Sequence, residues 1–136
     1  MKIIYCLFVV FFAAQFQINA QNETATVYLL RPPGADSGVP YFTYLDDELL
    51  CKVGNGRFSV HQINVGDHQI HAQYRGKISS SPEVRLPLNL EAGKTYYVMI
   101  VVFTNNFSGG GHICVELSET SGKKMLGLLE ANKECL

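Results

Sequence analysis

From Thr24 to Leu117 the chain alternates apolar and polar residues in short runs, each cut off by Gly, Pro, Asn or Asp. Period-two alternation puts the apolar side chains of a strand on one face, and the interrupting residues are those that turns require. The pattern predicts an all-β fold: a single antiparallel β-sandwich of about seven to eight strands, followed by a short C-terminal helix.

Asn55-Gly56 in GNGR predicts a hairpin, because both central positions of a type I′ turn need positive φ. Folding there pairs Val53 with Phe58 and Cys51 with Val60. A tight turn at Asp46-Asp47 pairs Tyr44 with Leu49 and Phe42 with Cys51. Phe42, Tyr44, Leu49, Cys51, Val53, Phe58 and Val60 then share one expected inner face. Val65-Gly66-Asp67 turns the chain into a strand whose Ile70, Ala72 and Tyr74 point inward. In the run from Val84 to Leu90, Pro87 cannot donate to a ladder, which places that strand at a sheet edge. Tyr96 to Phe103 is apolar on both parities, as expected of a central strand covered on both sides. Its second cover is either the segment GKKMLGLLEA, folded as a helix, or a second copy of the chain.

Ahead of this domain, Met1 to Ala20 reads as Lys2, an apolar run from Ile3 to Ala14, and a polar stretch ending in Ala20. That is the layout of a cleavable signal peptide, and the apolar run is shorter than the ~20 residues of a membrane span. The expected domains are a leader over 1–20 and a β-sandwich over 21–136, periplasmic or secreted, without a membrane span. Of the 11 Lys and Arg residues, Lys2 leaves with the leader, so the rest nearly balance the 12 Asp and Glu. No basic run exceeds Lys123-Lys124, which argues against a nucleic-acid partner.

Three cysteines remain after the leader. Cys51 is expected to face inward. On the last strand Ile113, Val115 and Leu117 claim the inward positions, leaving Cys114 outward with His112 and Glu116. A disulfide between Cys114 and the tail residue Cys135 is then easier than one between Cys51 and Cys114, with free thiols as the alternative. His61, His68, His71 and His112 show no spacing of paired ligands on one face and read as solvated strand histidines, so no metal site is expected. No cofactor or catalytic residue is assigned. Cys114 with His112 is the arrangement a thiol-dependent or hydrolytic enzyme would use. Gly109 to Gly111 lacks the ending of a phosphate loop and reads as a flexible loop. Asn22 and Asn106 open glycosylation sequons, used only if the host glycosylates exported proteins. Tyr28, Tyr41, Tyr96 and Tyr97 could build a sugar-stacking platform or pack within the sheets.

ATVYLLRPPG, the run YFTYLDDELLCKVGNGRFSVHQINVGDHQIHAQY, and LEAGKTYYVMI resemble successive motifs of the family catalogued as domain of unknown function 2846. NVGDHQI and LEAGKTYYV are the most specific parts of a resemblance that runs roughly from Thr24 to Leu129. The chain is more distantly similar to PEGA-type domains, with Asp46-Asp47 in place of Asp-Gly and Val65-Gly66 in place of Pro-Gly. The resemblance implies a β-sandwich of the bacterial envelope and carries over no catalytic residues. The lipid-bearing Cys common among the relatives is absent here. The expected role is a non-enzymatic envelope module that binds a protein or glycan partner through its loops or a sheet edge. The alternatives are the enzyme using Cys114 and His112, and a structural homo-oligomer component.

Overall fold

The computed structural model describes residues 23–34, 38–74, 85–105 and 109–135. The leader over 1–20 and the sequon residues Asn22 and Asn106 lie outside the described residues. In chain order the elements are β1 (Thr24–Arg31), β2 (Tyr41–Leu45), β3 (Glu48–Val53), β4 (Arg57–Asn64), β5 (Gly66–Tyr74), β6 (Leu86–Leu90), β7 (Thr95–Asn105), β8 (Gly109–Leu117), α1 (Glu119–Leu126) and β9 (Glu130–Ala131), with a 3-10 turn over Lys133–Cys135. They form a five-stranded sheet in the order β8-β7-β1-β4-β9 and a four-stranded sheet in the order β3-β2-β5-β6. Pairing is mixed: β1 runs parallel to β7 and β4 to β9, while the other pairs are antiparallel.

The alternation of β1 explains its central place. Ala25, Val27 and Leu29 enter a core shared with Val53 and Ile70 of the other sheet. Leu30, on the opposite parity, joins Tyr97 and Leu129 in a second cluster, against which Met99, Met125 and Leu126 pack. The second face of β7 is therefore covered by α1, the first of the two expected covers. The helix starts earlier than expected, at Glu119, where Ser118 caps it by accepting from Ser121 N at 3.3 Å. Eight residues make a marginal helix in water, so packing on Tyr97 and Met99 is what holds it.

Of the two expected hairpin turns, one forms and one does not. Asp46 and Asp47 have φ of 48° and 69°, and Leu45 pairs with Glu48, as a two-residue type I′ hairpin demands. At Asn55-Gly56 only Gly56 has a positive φ, of 66°. Here the chain crosses from the four-stranded to the five-stranded sheet, and the expected pairs Val53–Phe58 and Cys51–Val60 do not form: β3 pairs with β2, and β4 with β1.

The β2–β3 hairpin also carries a bulge. Tyr44 is opposite Leu49 as expected, but Thr43 is opposite Cys51 and Phe42 opposite Lys52, so Leu50 is the extra residue. One extra residue moves every later side chain to the other face. Tyr41 and Thr43 are thus buried in place of Phe42 and Tyr44, and Leu49 is 50% exposed. Cys51 and Val53 face inward as expected, whereas Phe58 joins the helix-side cluster and Val60 is half-buried. The edge assignment of Pro87 agrees with the structure: β6 is the last strand of its sheet, with Leu88 and Leu90 buried and Pro87 exposed.

Candidate functional site

The cysteines are arranged differently from the expected Cys114–Cys135 bridge. The disulfide joins Cys51 to Cys135, with Cα atoms 5.6 Å apart, and Cys114 is a buried free thiol. The cause lies in β8. Its residue opposite Ile100 is Cys114, so both enter the inter-sheet core, while Val115 and Leu117 lie opposite Met99 and Tyr97 on the helix side. Because α1 covers that side too, the apolar residues of β8 do not by themselves mark the inner face. Cys51 and Cys114 both face the core, and the tail reaches Cys51 because β3 is a sheet edge.

Burial pushes the Cys114 thiol up to about 12, far from the thiolate a nucleophile needs. Burial also lowers the pKa of His112, opposed by a hydrogen bond with the Ala72 backbone, and its ring meets Tyr41 edge-on at 5.1 Å. The side chains an enzyme would use are engaged in packing.

The other histidines are likewise engaged rather than solvated. His71 is 1% exposed, stacks on Tyr44 at 5.2 Å and lies 3.0 Å from the Gln73 amide. His61 Nε2 lies 2.9 Å from Oγ of the buried Ser59, and burial lowers its pKa. His68 donates from Nδ1 to Asp46 Oδ2 at 2.6 Å and from Nε2 to the Asn64 carbonyl at 2.8 Å. Among the described residues no three His, Cys, Asp or Glu come together to hold a metal ion.

The tyrosines are divided. Tyr28 stacks on Tyr97 at 5.3 Å within the helix-side cluster, Tyr41 is buried under the Arg31 guanidinium, and the Tyr96 hydroxyl accepts from Glu91 N. They form no common exposed platform. Gly109 to Gly111, expected as a flexible loop, continue β8 opposite Phe103, Thr104 and Asn105.

Two surface regions stand out among the described residues. One is a shallow depression of about 390 Å³ bordered by Asp46, Asp67, His68, Pro87 and Asn89. Here Asp46 Oδ1 accepts from Gln69 N at 2.9 Å, and Asn89 donates to Asp67 at 2.6 Å. The other lies where the edges of β3 and β4 adjoin. The tail crosses them: Glu130 N donates to Gly56 O, Asn132 N to Phe58 O, and Asn132 Nδ2 to Lys52 O. Beside Cys135 a depression of about 350 Å³ is lined by Leu49, Leu50 and Lys52. Arg57 and Asn132, central to this region, carried no sequence signal, since each acts through a chain crossing that alternation does not encode.

No helix among the described residues is long and apolar enough to cross a membrane. No protein-family model matches the chain, and no curated protein matches it.

Proposed function

We propose that this chain is an exported, non-enzymatic module of the bacterial envelope, a single β-sandwich of the kind its resemblance to the domain of unknown function 2846 family implies, which binds a protein or glycan partner along a sheet edge. The observation that carries this reading is the pair of adjoining edges at β3 and β4, crossed only by a short tail among the described residues. An open edge offers a row of peptide groups to an added strand. Export is supported by the leader-like first 20 residues, and the Cys51–Cys135 bond fits an oxidising compartment. Against the enzyme alternative stands the burial of Cys114; against an obligate oligomer, the cover that α1 already gives β7.

A pull-down from envelope extract together with a glycan array tests the reading. A partner or glycan retained by the wild-type chain, either oxidised or treated with a dithiol, is expected. Clean failure of both, with a measurable hydrolase activity, would overturn it.

A further inference from the structure

The C-terminal tail lies across two sheet edges at once. β9 adds a parallel strand to β4 through Glu130 N to Gly56 O at 3.1 Å and Asn132 N to Phe58 O at 2.8 Å. Arg57 Nη1 holds Glu130 Oε2 at 3.0 Å and Ala131 O at 3.3 Å. Asn132 Nδ2 then reaches Lys52 O on β3 at 2.9 Å, and Cys135 is bonded to Cys51 of that strand. β9 has two residues against eight in β4, and Ser59–Asn64 has no strand on that side among the described residues. A strand this short and an exposed ion pair contribute little by themselves. Leu129 and Asn132 are buried where the tail starts to cross, and beyond them the covalent bond to Cys51 pins the tail to β3.

We propose that the adjoining edges of β3 and β4 form a strand-accepting surface for an extended peptide segment with a carboxylate opposite Arg57, covered by the chain's own tail and uncovered when a dithiol reduces the Cys51–Cys135 bond. This rests on the edge-binding reading above and adds the occupant, its charge and the condition for access. The tail itself shows the mode: extended, backbone-paired, with Glu130 on Arg57. Gly56 and Phe58 turn their carbonyls to the tail, so by strand alternation Val60 and Gln62 present their peptide groups on the same side, where a longer segment continues the ladder.

Opening is an ordinary thiol–disulfide exchange. Cys135 is half-buried and borders the depression lined by Leu49, Leu50 and Lys52, whereas Cys51 is buried. A thiolate of the dithiol attacks Cys135 Sγ, the S–S bond breaks, and Cys51 leaves with the electron pair as a thiolate. The second thiolate of the dithiol attacks its own sulfur in the mixed disulfide and releases Cys135. The two protein sulfurs take up the two protons the dithiol gave up, and the dithiol, oxidised by two electrons, ends as a disulfide. Cys114, buried in the core, takes no part.

The experiment uses the full chain, oxidised or treated with dithiothreitol, and follows hydrogen exchange by mass spectrometry. Its probe is a labelled peptide of residues 129–135 with Ser at the cysteine position. Reduction is expected to speed exchange at least tenfold in 130–135 and around Lys52–Phe58, with β1 and β7 still protected. The peptide should bind the reduced chain and the Cys51→Ser/Cys135→Ser variant but not the oxidised chain, and a Glu130→Lys peptide should bind at least tenfold more weakly. Unchanged tail exchange, loss of protection throughout β1 and β7, or a freed tail with no peptide bound would each overturn the proposal. If the peptide fails while a partner from envelope extract still binds in both redox states, the edge proposal falls and the binding-module reading stands. If neither binds, both fall.

Discussion

Gly122 of α1 lies flat against the side chain of Tyr97, with no room for a Cβ between them. A methyl group at 122 would overlap Cβ, Cγ and Cδ1 of the tyrosine, so the contact fixes how closely the helix approaches β7. Gly122→Ala is therefore expected to cost ~1–3 kcal/mol in urea unfolding despite the better helix propensity of Ala, because overpacking dominates. Gly127→Ala is the control: its Cβ would meet only ordinary contacts and its φ of −65° suits any residue, so stability should hold or rise slightly.

The bulge in the β2–β3 hairpin makes the two faces testable. Leu49→Ala, at a half-exposed position, should change stability by no more than ~0.5 kcal/mol, whereas Leu29→Ala, fully buried, should cost ~3–5 kcal/mol. Had the hairpin paired without the extra residue, Leu49 would lie inside and the two losses would be similar. Chemical denaturation of both variants settles which face is inner.

The thiols should react in a distinctive order. Under native conditions Cys114 should resist alkylation, since burial both blocks access and pushes its thiol up to about 12. In denaturant without reductant, mass spectrometry of the residues after the leader should find one labelled cysteine, at 114, and a non-reducing digest should link the peptides of Cys51 and Cys135. A peptide linking Cys114 to Cys135 would contradict the structure.

His68 and Asp46 should couple stability to pH. Burial alone would lower the pKa of His68, but the hydrogen bonds to Asp46 and the Asn64 carbonyl and the charges of Asp46 and Asp67 raise it above 6.5 on balance. A base with a raised folded pKa gives stability that is complete below its unfolded pKa and is lost as pH rises through the folded value. For Asp46, burial would raise the pKa, but bonds from His68 and Gln69 and the His68 charge bring it below 3.8 on balance. Its contribution is present above the unfolded value and lost as pH falls through the folded one. The pair thus stabilises most between the ordinary carboxylate and histidine ranges. NMR titration should place the His68 imidazole above its ordinary value, and between about pH 5.5 and about pH 8.5 the wild type should lose stability that a His68→Gln variant never had.

Sequence alternation located the strands along the chain, but the bulge in β2–β3 hid part of their faces and the crossings were not legible. The edge at Pro87, the Asp46-Asp47 turn and the two-sided β7 were legible because each depends on one residue's backbone chemistry or on local periodicity. Asn55-Gly56 misled because a residue pair that suits a tight hairpin also suits a crossing between sheets, and only distant pairing with β1 decides between them. The face of Cys114 was illegible for a related reason: once α1 covers the outer side of β7, both parities of β8 are apolar surroundings. The tail's path over β3 and β4, and with it the true partner of Cys51, depends on where two sheets place their edges, which no local pattern records.

The parallel pairing of β1 with β7 also dictates an order of events. β1 holds the middle of its sheet, yet the neighbour on one side is made only after five other strands have been synthesised. Contacts so distant along the chain are slow to form. Until β7 arrives, one long edge of β1 stands open, with Val27, Leu29 and Leu30 beside it, so the chain passes through a sticky, half-closed stage that a holding chaperone would shorten or shield.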